Sequence, residues 1–209
     1  MSTLVYLIRH GSVVGAETRR FIGHLDVALS ALGERQMTAL AERLAAVRLD
    51  AVYSSDLSRT RRSARIVAEP HGLITVETPA LREFAMGQWE GLTAEQIRAR
   101  DAAAFETWMA DVAGYQFPGG ESLAQLSLRA WPAVERIVAA HPGGSVAIVA
   151  HGGTNRLILC RALALDPGRL LALGQDYASL SVLERSGARW TLRLLNHCEL
   201  ARSGRTFAG

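Results

Sequence analysis

Two histidines occupy matching positions in the sequence. His10 follows the apolar run 4–8 and precedes Gly11, while His151 follows an apolar run that ends at Ala150 and precedes a pair of glycines. A neutral imidazole can attack an electrophile or carry a proton near pH 7, and a neighbouring glycine lets a ligand approach the backbone closely. One such pair alone would more often be structural. Two of them, each closing an apolar run, indicate a shared reactive site.

Arginines stand beside the same positions. Arg9 directly precedes the first histidine, and Arg59 lies at the start of a predicted helix that follows a further apolar run, 51–53. Guanidinium groups match phosphate oxygens in geometry as well as in charge. A helix that begins near Gly152 would also direct its free N–H groups at an anion. These residues predict a site for a dianion with many acceptor oxygens.

The elements that must position these residues alternate along the chain. Strands are predicted at 4–8, 51–53, 74–76, 145–150, 179–183 and 190–194, and helices at 30–47, 57–69, 122–140 and 152–163. Continuous apolar strands separated by amphipathic helices are typical of a mostly parallel sheet that is covered on both faces. We therefore predict an α/β fold, a three-layer α/β/α sandwich, with the reactive residues at the carboxyl edge of its sheet.

Local signals predict the boundaries of these elements. Ser30 is expected to cap the first helix and Asp56 the second, and Pro132 should kink the helix 122–140 or divide it in two. Residues 84–120 interrupt the alternation and are predicted to form a helical insertion over the active-site edge. Part of the pocket lining is expected from Phe84, Met86, Trp89 and Trp108.

The composition excludes several classes of protein. Of the 209 residues, 23 are Lys or Arg and 20 are Asp or Glu, which gives a formal net charge of +3. This excess is too small and too dispersed to indicate a nucleic-acid partner. No apolar run approaches the ~20 residues that a membrane helix requires, and the short apolar start has no basic leader region.

Cysteine usage points to a reducing compartment. Cys160 and Cys198 lie far apart and have no metal-ligand spacing, so we expect reduced thiols and a cytoplasmic location. Neither a metal nor another cofactor is predicted. The length fits one domain, 1–209, in which residues 202–209 are expected to form a loose tail.

Several segments resemble, in order, the conserved blocks of the histidine phosphatase superfamily, which includes the cofactor-dependent phosphoglycerate mutases. These segments are 7–11, 20–30, 53–60, 81–83 with 87–91, 118–122 and 149–153. The resemblance extends from about residue 3 to residue 195, nearly the whole chain, and the motifs together are highly specific. It implies a reaction that passes a phosphoryl group through a histidine.

The resemblance also implies a role for each conserved residue. His10 would be the nucleophile that becomes phosphorylated, and Arg9, Arg59 and His151 would hold the phosphoryl oxygens. Glu83 would protonate the leaving oxygen and then activate water. A two-step route divides one difficult displacement into two, and positive groups stabilise the charge of the transferring phosphoryl. From the residues alone, Glu83 could also be a surface carboxylate in a loop.

The stretch after the first motif departs from the family pattern. The family often has an asparagine there that contacts phosphate, whereas this chain has Ser12 and, a few residues on, Ala16. Ser12 could still donate a hydrogen bond, and Arg20 could either replace part of the lost contact or be a surface charge. We predict Ser12, Arg20, Gly23 and Gly152 as substrate-binding residues.

Hydrolysis is the favoured reaction. The mutases carry a longer insertion that is rich in basic groups, whereas the insertion here holds mainly Arg98 and Arg100. We therefore predict a phosphatase for a small organic phosphate monoester. Phosphoglycerate mutase-type transfer and a non-catalytic scaffold that binds a phosphorylated ligand are the alternatives. Residues 155–160 weakly resemble α-ribazole phosphatases. The small-molecule ester is the expected partner, without nucleic acid or membrane, and a homodimer is one option for the assembly.

Overall fold

A six-stranded sheet forms the middle layer of the molecule, in a computed structural model that describes residues 1–200. Its strands are β1 (Ser2–Arg9), β2 (Ala51–Ser54), β3 (Thr75–Glu77), β4 (Ser145–Ala150), β5 (Leu180–Ser186) and β6 (Arg189–His197). The order across the sheet is β3-β2-β4-β1-β5-β6. The first four of these run parallel, whereas β5 is antiparallel to β1 and β6 is antiparallel to β5. The predicted mostly parallel sheet is confirmed.

Helices cover both faces of this sheet. They are α1 (Ala31–Leu44), α2 (Ser58–Ala68), α3 (Ala94–Arg100), α4 (Ala102–Ala110), α5 (Leu123–Ala140) and α6 (Gly152–Leu163). Successive side chains of a strand point to opposite faces. In β1, Ile8 belongs to the buried cluster that contains Met37 of α1, while Leu7 belongs to the cluster that contains Val134 of α5. The predicted three-layer sandwich is therefore confirmed.

The insertion over the sheet edge is organised around Trp89. Centroids of five aromatic rings lie 5.3–6.0 Å from the ring of Trp89, those of Phe21, Phe105, Trp108, Tyr115 and Phe117. Aromatic pairs of this kind stabilise a cluster beyond the area that they bury. Phe84, Trp89 and Trp108 therefore form the interior of the insertion, and of the four expected pocket residues only Met86 lines the cavity described below.

The cap of α2 differs from the prediction. The helix begins at Ser58, and its N–H donates to the carboxylate of Asp26 at 2.7 Å. Asp56 instead accepts two hydrogen bonds from the guanidinium of Arg82. The prediction that Asp56 caps this helix is wrong. The carboxylate that accepts the first N–H of the helix is that of Asp26, which comes from a loop distant in the sequence.

Other predicted boundaries have mixed outcomes. Ser30 caps α1 as expected, since its Oγ accepts the N–H of Gly33 at 3.0 Å. Pro132 does not divide the helix in two, because it lies inside the single helix α5. The predicted tail 202–209 lies outside the described residues. Across residues 1–200, no helix combines the length and apolar content needed to cross a membrane.

Candidate active site

The pairing of β1 with β4 brings the two predicted histidines together. Arg9 at the end of β1 lies opposite Ala150 at the end of β4, so the next residue of each strand is a histidine at the same edge of the sheet. The ring centroids of His10 and His151 are 5.2 Å apart, with the ring planes inclined at 66°. Both residues are buried, with 4% and 0% of their surface exposed.

His10 has one ring nitrogen held by the backbone. Its Nδ1 lies 2.8 Å from the carbonyl oxygen of Gly11. Because a carbonyl oxygen only accepts, Nδ1 must carry the proton, and Nε2 keeps its lone pair in the neutral ring. Burial, and then the charges of Arg59 and Arg9, hold the pKa of His10 well below its ordinary value of 6.5. At neutral pH the ring is therefore uncharged and can act as a nucleophile at Nε2.

A chain of hydroxyl groups orients His151. Arg59 Nε donates to His151 Nδ1 at 3.3 Å, so the ring proton resides on Nε2. Nε2 donates to Ser55 Oγ at 2.8 Å, and that hydroxyl contacts Thr60 Oγ1 at 2.6 Å. Thr60 Oγ1 in turn donates to the carbonyl oxygen of Leu57 at 2.8 Å. Burial, followed by the Arg59 charge, holds the pKa of His151 well below 6.5, so the second imidazole is neutral as well.

Arg59 is anchored by the loop that faces it. It is 1% exposed, and it donates from Nη1 to the carbonyl oxygen of Leu25 and from Nη2 to that of Gly23, both at 2.7 Å. Together with the bond to His151, three of its five N–H donors are used. One donor on each terminal nitrogen remains for a phosphoryl oxygen in the cavity that Arg59 lines.

Arg9 is held over the aromatic ring of Tyr177, a residue that the sequence patterns do not predict. Its Cζ lies 4.0 Å from the centre of the Tyr177 ring, and its Nη1 donates to the carbonyl oxygen of Gln175. A guanidinium over an aromatic face is attracted by the ring quadrupole. Tyr177 also contacts His10, with 5.6 Å between ring centroids. Tyr177 stands outside every recognised motif, in the irregular segment before β5, so no sequence signal marks it.

Glu83 is docked on the first turn of α6. Its Oε2 accepts the N–H of Gly153 at 2.9 Å, and its Oε1 accepts those of Thr154 and Phe84 at 3.0 and 3.1 Å. The first N–H groups of a helix have no partner within the helix and favour an anion. Gly153 is required for this approach, because a Cβ there would lie 2.5 Å from Glu83 Oε1. The carboxylate lines the same cavity as His10.

A clamp formed by Arg129 and Glu121 holds the backbone that carries Glu83. The Nε and Nη2 of Arg129 each donate to a different oxygen of Glu121 at 2.7 Å. The remaining donors go to carbonyl oxygens at 2.6–2.8 Å, those of Ala80, Arg82 and Glu83. All five guanidinium N–H groups are thus used. Glu121 lies in the segment 118–122 that carries part of the resemblance, whereas Arg129 lies inside α5, where no motif marks it.

The five predicted catalytic residues surround one cavity of about 260 Å³, and they are Arg9, His10, Arg59, Glu83 and His151. The cavity opens at the carboxyl edge of the sheet, where the sequence analysis expected it. Its lining also includes the unpredicted Arg19, Phe21, Ile22 and Tyr177. In the part of the chain that the structure describes, no group of three or more His, Cys, Asp or Glu side chains is arranged to hold a metal ion.

The residues predicted for substrate binding fall into two groups. Arg20 and Gly23 line the cavity, although Nη1 of Arg20 also donates to the carbonyl oxygen of Gly91 at 2.6 Å. Ser12 and Gly152 lie outside its lining. The N–H of Ser12 donates to Gln36 Oε1 at 2.9 Å, and a Cβ at Gly152 would lie 3.4 Å from the guanidinium carbon of Arg9. The position of Ser12 outside the lining does not support a direct contact with substrate, so this contact stays a prediction.

Residues 5–197 match the family described as the histidine phosphatase superfamily (branch 1). The chain belongs to the histidine phosphatase superfamily. The matched span includes every segment that carries the resemblance, from residue 7 to residue 153.

Curated relatives of this histidine phosphatase include hydrolases and mutases. Phosphoserine phosphatase 1 of Hydrogenobacter thermophilus is 31% identical over 190 residues, which cover 91% of this chain and 90% of the relative. A probable phosphoglycerate mutase of Yersinia enterocolitica is 31% identical over 186 residues, which cover 89% and 86%.

Solved structures agree with this assignment. A mycobacterial glucosyl-3-phosphoglycerate phosphatase superimposes with a TM-score of 0.86 at 33% identity, covering 94% of this chain and 99% of its own. The α-ribazole phosphatase of Shigella flexneri does so with a TM-score of 0.83 at 27% identity, covering 93% and 96%. The predicted fold and the predicted class of small-molecule phosphatase are confirmed by these similarities.

Proposed function

We propose that this histidine phosphatase hydrolyses small organic phosphate monoesters through a phosphohistidine on His10, with Glu83 as the proton donor. One observation carries the proposal. Nδ1 of His10 is bound to the carbonyl oxygen of Gly11, so Nε2 is the nitrogen with a lone pair. That ring lines a cavity with the guanidinium groups of Arg9 and Arg59, which are suited to binding the phosphoryl oxygens.

In the first step, Nε2 of His10 forms a bond to phosphorus while the bond from phosphorus to the ester oxygen breaks. The departing oxygen takes the proton of Glu83 and leaves as an alcohol. Negative charge on the transferring phosphoryl is stabilised by the donors that remain on Arg59 and by Arg9. The proton stays on Nδ1, which continues to donate to the carbonyl oxygen of Gly11, so the phosphorylated ring retains its orientation.

In the second step, water attacks the phosphorus of the phosphohistidine. Glu83, now a carboxylate, accepts a proton from that water, and the bond from phosphorus to Nε2 breaks. The products are inorganic phosphate and the original neutral ring of His10. Each group returns to its starting protonation state, so the cycle needs no oxidant, reductant or further reactant.

The function is tested by hydrolysis of a panel of phosphate monoesters, including phosphoserine and p-nitrophenyl phosphate, with and without EDTA. We expect turnover that EDTA does not change. A separate reaction with 3-phosphoglycerate and its bisphosphate cofactor tests for 2-phosphoglycerate, the mutase product. Absence of hydrolysis between pH 4 and 9 would contradict the proposal, and turnover abolished by EDTA would contradict its metal-free mechanism.

The nucleophile is tested by rapid quench of the enzyme with substrate. The wild type should yield an acid-labile, base-stable phosphoenzyme, and His10→Ala and His10→Gln should not. His71→Ala is the matched control, because His71 lies in the turn after α2 and outside the cavity lining. A phosphoenzyme that persists in both His10 variants would overturn the assignment.

Two further expectations remain proposals. We propose a cytoplasmic location on the basis of the widely separated cysteines, and a homodimer stays a prediction about the assembly. The mutase alternative has support from the mutase relative, and the product test above separates it from hydrolysis.

A further inference from the structure

The outer wall of the cavity holds an arginine with no assigned role. Arg19 lines the cavity and is exposed to solvent. Among residues 1–200, no hydrogen bond or ion pair involves its guanidinium. Its neighbour Arg20, by contrast, donates to the carbonyl oxygen of Gly91 and to Gln96 Oε1. Of the two adjacent arginines, Arg19 therefore has its donors available.

The backbone at Arg19 adopts a conformation that its side chain does not favour. It follows the short turn Ala16–Thr18 with φ 49° and ψ 44°, in the left-handed region. Glycine or asparagine is the usual residue in this position, so an arginine here costs conformational energy. Backbone strain of this kind is often found where the side chain has a function, and the side chain of Arg19 faces the cavity.

The loop that carries Arg19 is fixed to the insertion. The N–H of Phe21 donates to the carbonyl oxygen of Leu92 at 2.9 Å, and the N–H of Gly91 donates to that of Phe21 at 2.8 Å. Together with the bond from Arg20 to the carbonyl oxygen of Gly91, these hydrogen bonds connect residues 20–21 to residues 91–92. The position of Arg19 relative to the phosphoryl-binding residues is therefore set by the fold.

The charged groups that line the cavity carry a positive excess larger than a phosphoryl dianion neutralises. Four arginines and one carboxylate, Glu83, line it. A phosphoryl dianion bound between Arg9 and Arg59 still leaves a net positive charge, whether Glu83 is ionised or protonated. Arg19 is the exposed arginine of the lining, and its guanidinium has no partner among residues 1–200. Phe21, Ile22 and Met86 form an apolar wall in the lining of the same cavity. The cavity thus has an inner site for a dianion and an outer cationic site for one further negative charge.

We infer that Arg19 binds a carboxylate on the substrate, so that the substrate is the phosphate monoester of a small organic acid. This inference rests on the proposed function, because the phosphoryl group must occupy the inner site. A single guanidinium with free donors suits a monoanion, and a carboxylate matches its fork of N–H groups. A short carbon chain along the apolar wall joins the two anionic groups.

The test compares 3-phosphoglycerate with glycerol 3-phosphate, which has a hydroxymethyl group in place of the carboxylate. The wild type should have the higher kcat/KM for 3-phosphoglycerate. Arg19→Gln should lower that value by roughly three- to tenfold, mainly through KM, as expected for a partly exposed charged hydrogen bond. The same substitution should change kcat/KM for glycerol 3-phosphate by less than about twofold. Arg19→Lys should retain more of the preference than Arg19→Gln does.

Arg48→Gln is the matched control for the loss of one positive charge. The side chain of Arg48 is 90% exposed, and the residue lies just before β2, at the opposite edge of the sheet. Arg48→Gln should change kcat/KM for neither 3-phosphoglycerate nor glycerol 3-phosphate. Equal effects of Arg19→Gln on both esters, or no effect on either, would overturn the inference.

The proposed function and the inference fail in different ways. If glycerol 3-phosphate and p-nitrophenyl phosphate are hydrolysed and 3-phosphoglycerate is not preferred, the carboxylate-binding role of Arg19 is rejected. The proposed phosphatase function is supported by the same result. If no ester turns over, calorimetry on His10→Ala still measures binding. In that background, weaker binding of 3-phosphoglycerate when Arg19→Gln is added supports a carboxylate-binding role for Arg19. Unchanged binding rejects this role.

Discussion

Arg129 and Glu121 form a two-point pair, with both N–H···O distances at 2.7 Å. Because the other donors of Arg129 bind the backbone at and before Glu83, the pair determines where the carboxylate of Glu83 lies. The effect of losing Arg129 should therefore depend on how much the substrate requires proton donation.

Arg129→Met should reduce hydrolysis of alkyl phosphates by about tenfold or more, since a positioned general acid contributes ~10²–10⁴ in rate. Hydrolysis of p-nitrophenyl phosphate should fall much less, because its leaving oxygen hardly needs the proton. Steady-state kinetics on glycerol 3-phosphate and p-nitrophenyl phosphate measure this difference. Parallel losses on both substrates would show that Arg129 supports the fold without positioning Glu83.

The same change should also destabilise the protein. Arg129 and Glu121 have side chains only 22% and 20% exposed, and Arg129→Met leaves the carboxylate and three carbonyl groups without this partner. We expect a loss of about 1–3 kcal/mol in the free energy of unfolding, measured with urea. The control is Arg193→Met, which breaks a surface pair with Glu184 in which Arg193 is 58% exposed, and should cost at most ~1 kcal/mol.

Gly153→Ala should displace Glu83. The added methyl would lie 2.5 Å from Glu83 Oε1 and 2.7 Å from a ring carbon of Phe84, so the carboxylate must leave the first turn of α6. We expect the rate of hydrolysis to fall more for alkyl than for aryl phosphates, because an alkyl leaving oxygen needs the proton from Glu83. Gly168→Ala is the control, since its methyl would meet only the side chain of Asp166, at 3.3 Å or more. Full activity of Gly153→Ala on glycerol 3-phosphate would refute this placement of the acid.

Ser55→Ala should loosen the orientation of His151. The hydroxyl of Ser55 is the acceptor for Nε2 of His151, and without it the ring proton can move between the two nitrogens. We expect phosphoenzyme formation to slow by about tenfold, equivalent to ~1.4 kcal/mol in the barrier. Rapid quench measures this rate. Ser58→Ala should leave it unchanged, because the hydroxyl of Ser58 contacts the carbonyl oxygen of Val27 at 3.3 Å and the side chain of Asp26, and neither residue lines the cavity.

The stability of the protein should fall as the pH drops below 6.5. His10 and His151 have pKa values well below 6.5 in the folded protein, chiefly because of burial. In the unfolded chain they bind protons near pH 6.5, so protonation favours unfolding as the pH falls. The loss between pH 7 and 5.5 should be roughly 2–3 kcal/mol for the two groups together.

Urea unfolding at several pH values between 7 and 5.5 tests this dependence. In His10→Gln the slope should be shallower, because one of the two groups no longer titrates. A free energy of unfolding that stays constant over this window in the wild type would contradict the buried neutral state of both rings.

Much of this protein could be predicted from local patterns. The apolar runs before His10 and His151 indicate buried strands, and both histidines could be placed at the same sheet edge because parallel strands end there. Arg59 could be added because it begins the helix after a neighbouring strand. These inferences succeed because strand burial and helix position depend on residues that are close in the sequence.

Other features depend on contacts between distant segments. Asp26, and not the nearby Asp56, caps α2, since a loop folds back onto the start of that helix. Tyr177 and Arg129 reach the site from segments without a motif, and their contacts with Arg9 and with the backbone at Glu83 exist only in the folded chain.

The sequence by itself determined the reactive residues, the order of strands and helices along the chain and the edge of the sheet where the site forms. The tertiary structure alone decided that Nε2 of His10 is the free nitrogen, that the carboxylate of Glu83 is held on α6, and that Arg19 faces the cavity. The physical reason is that hydrophobic patterning is local, whereas protonation and orientation depend on burial and hydrogen-bond partners that folding brings from elsewhere.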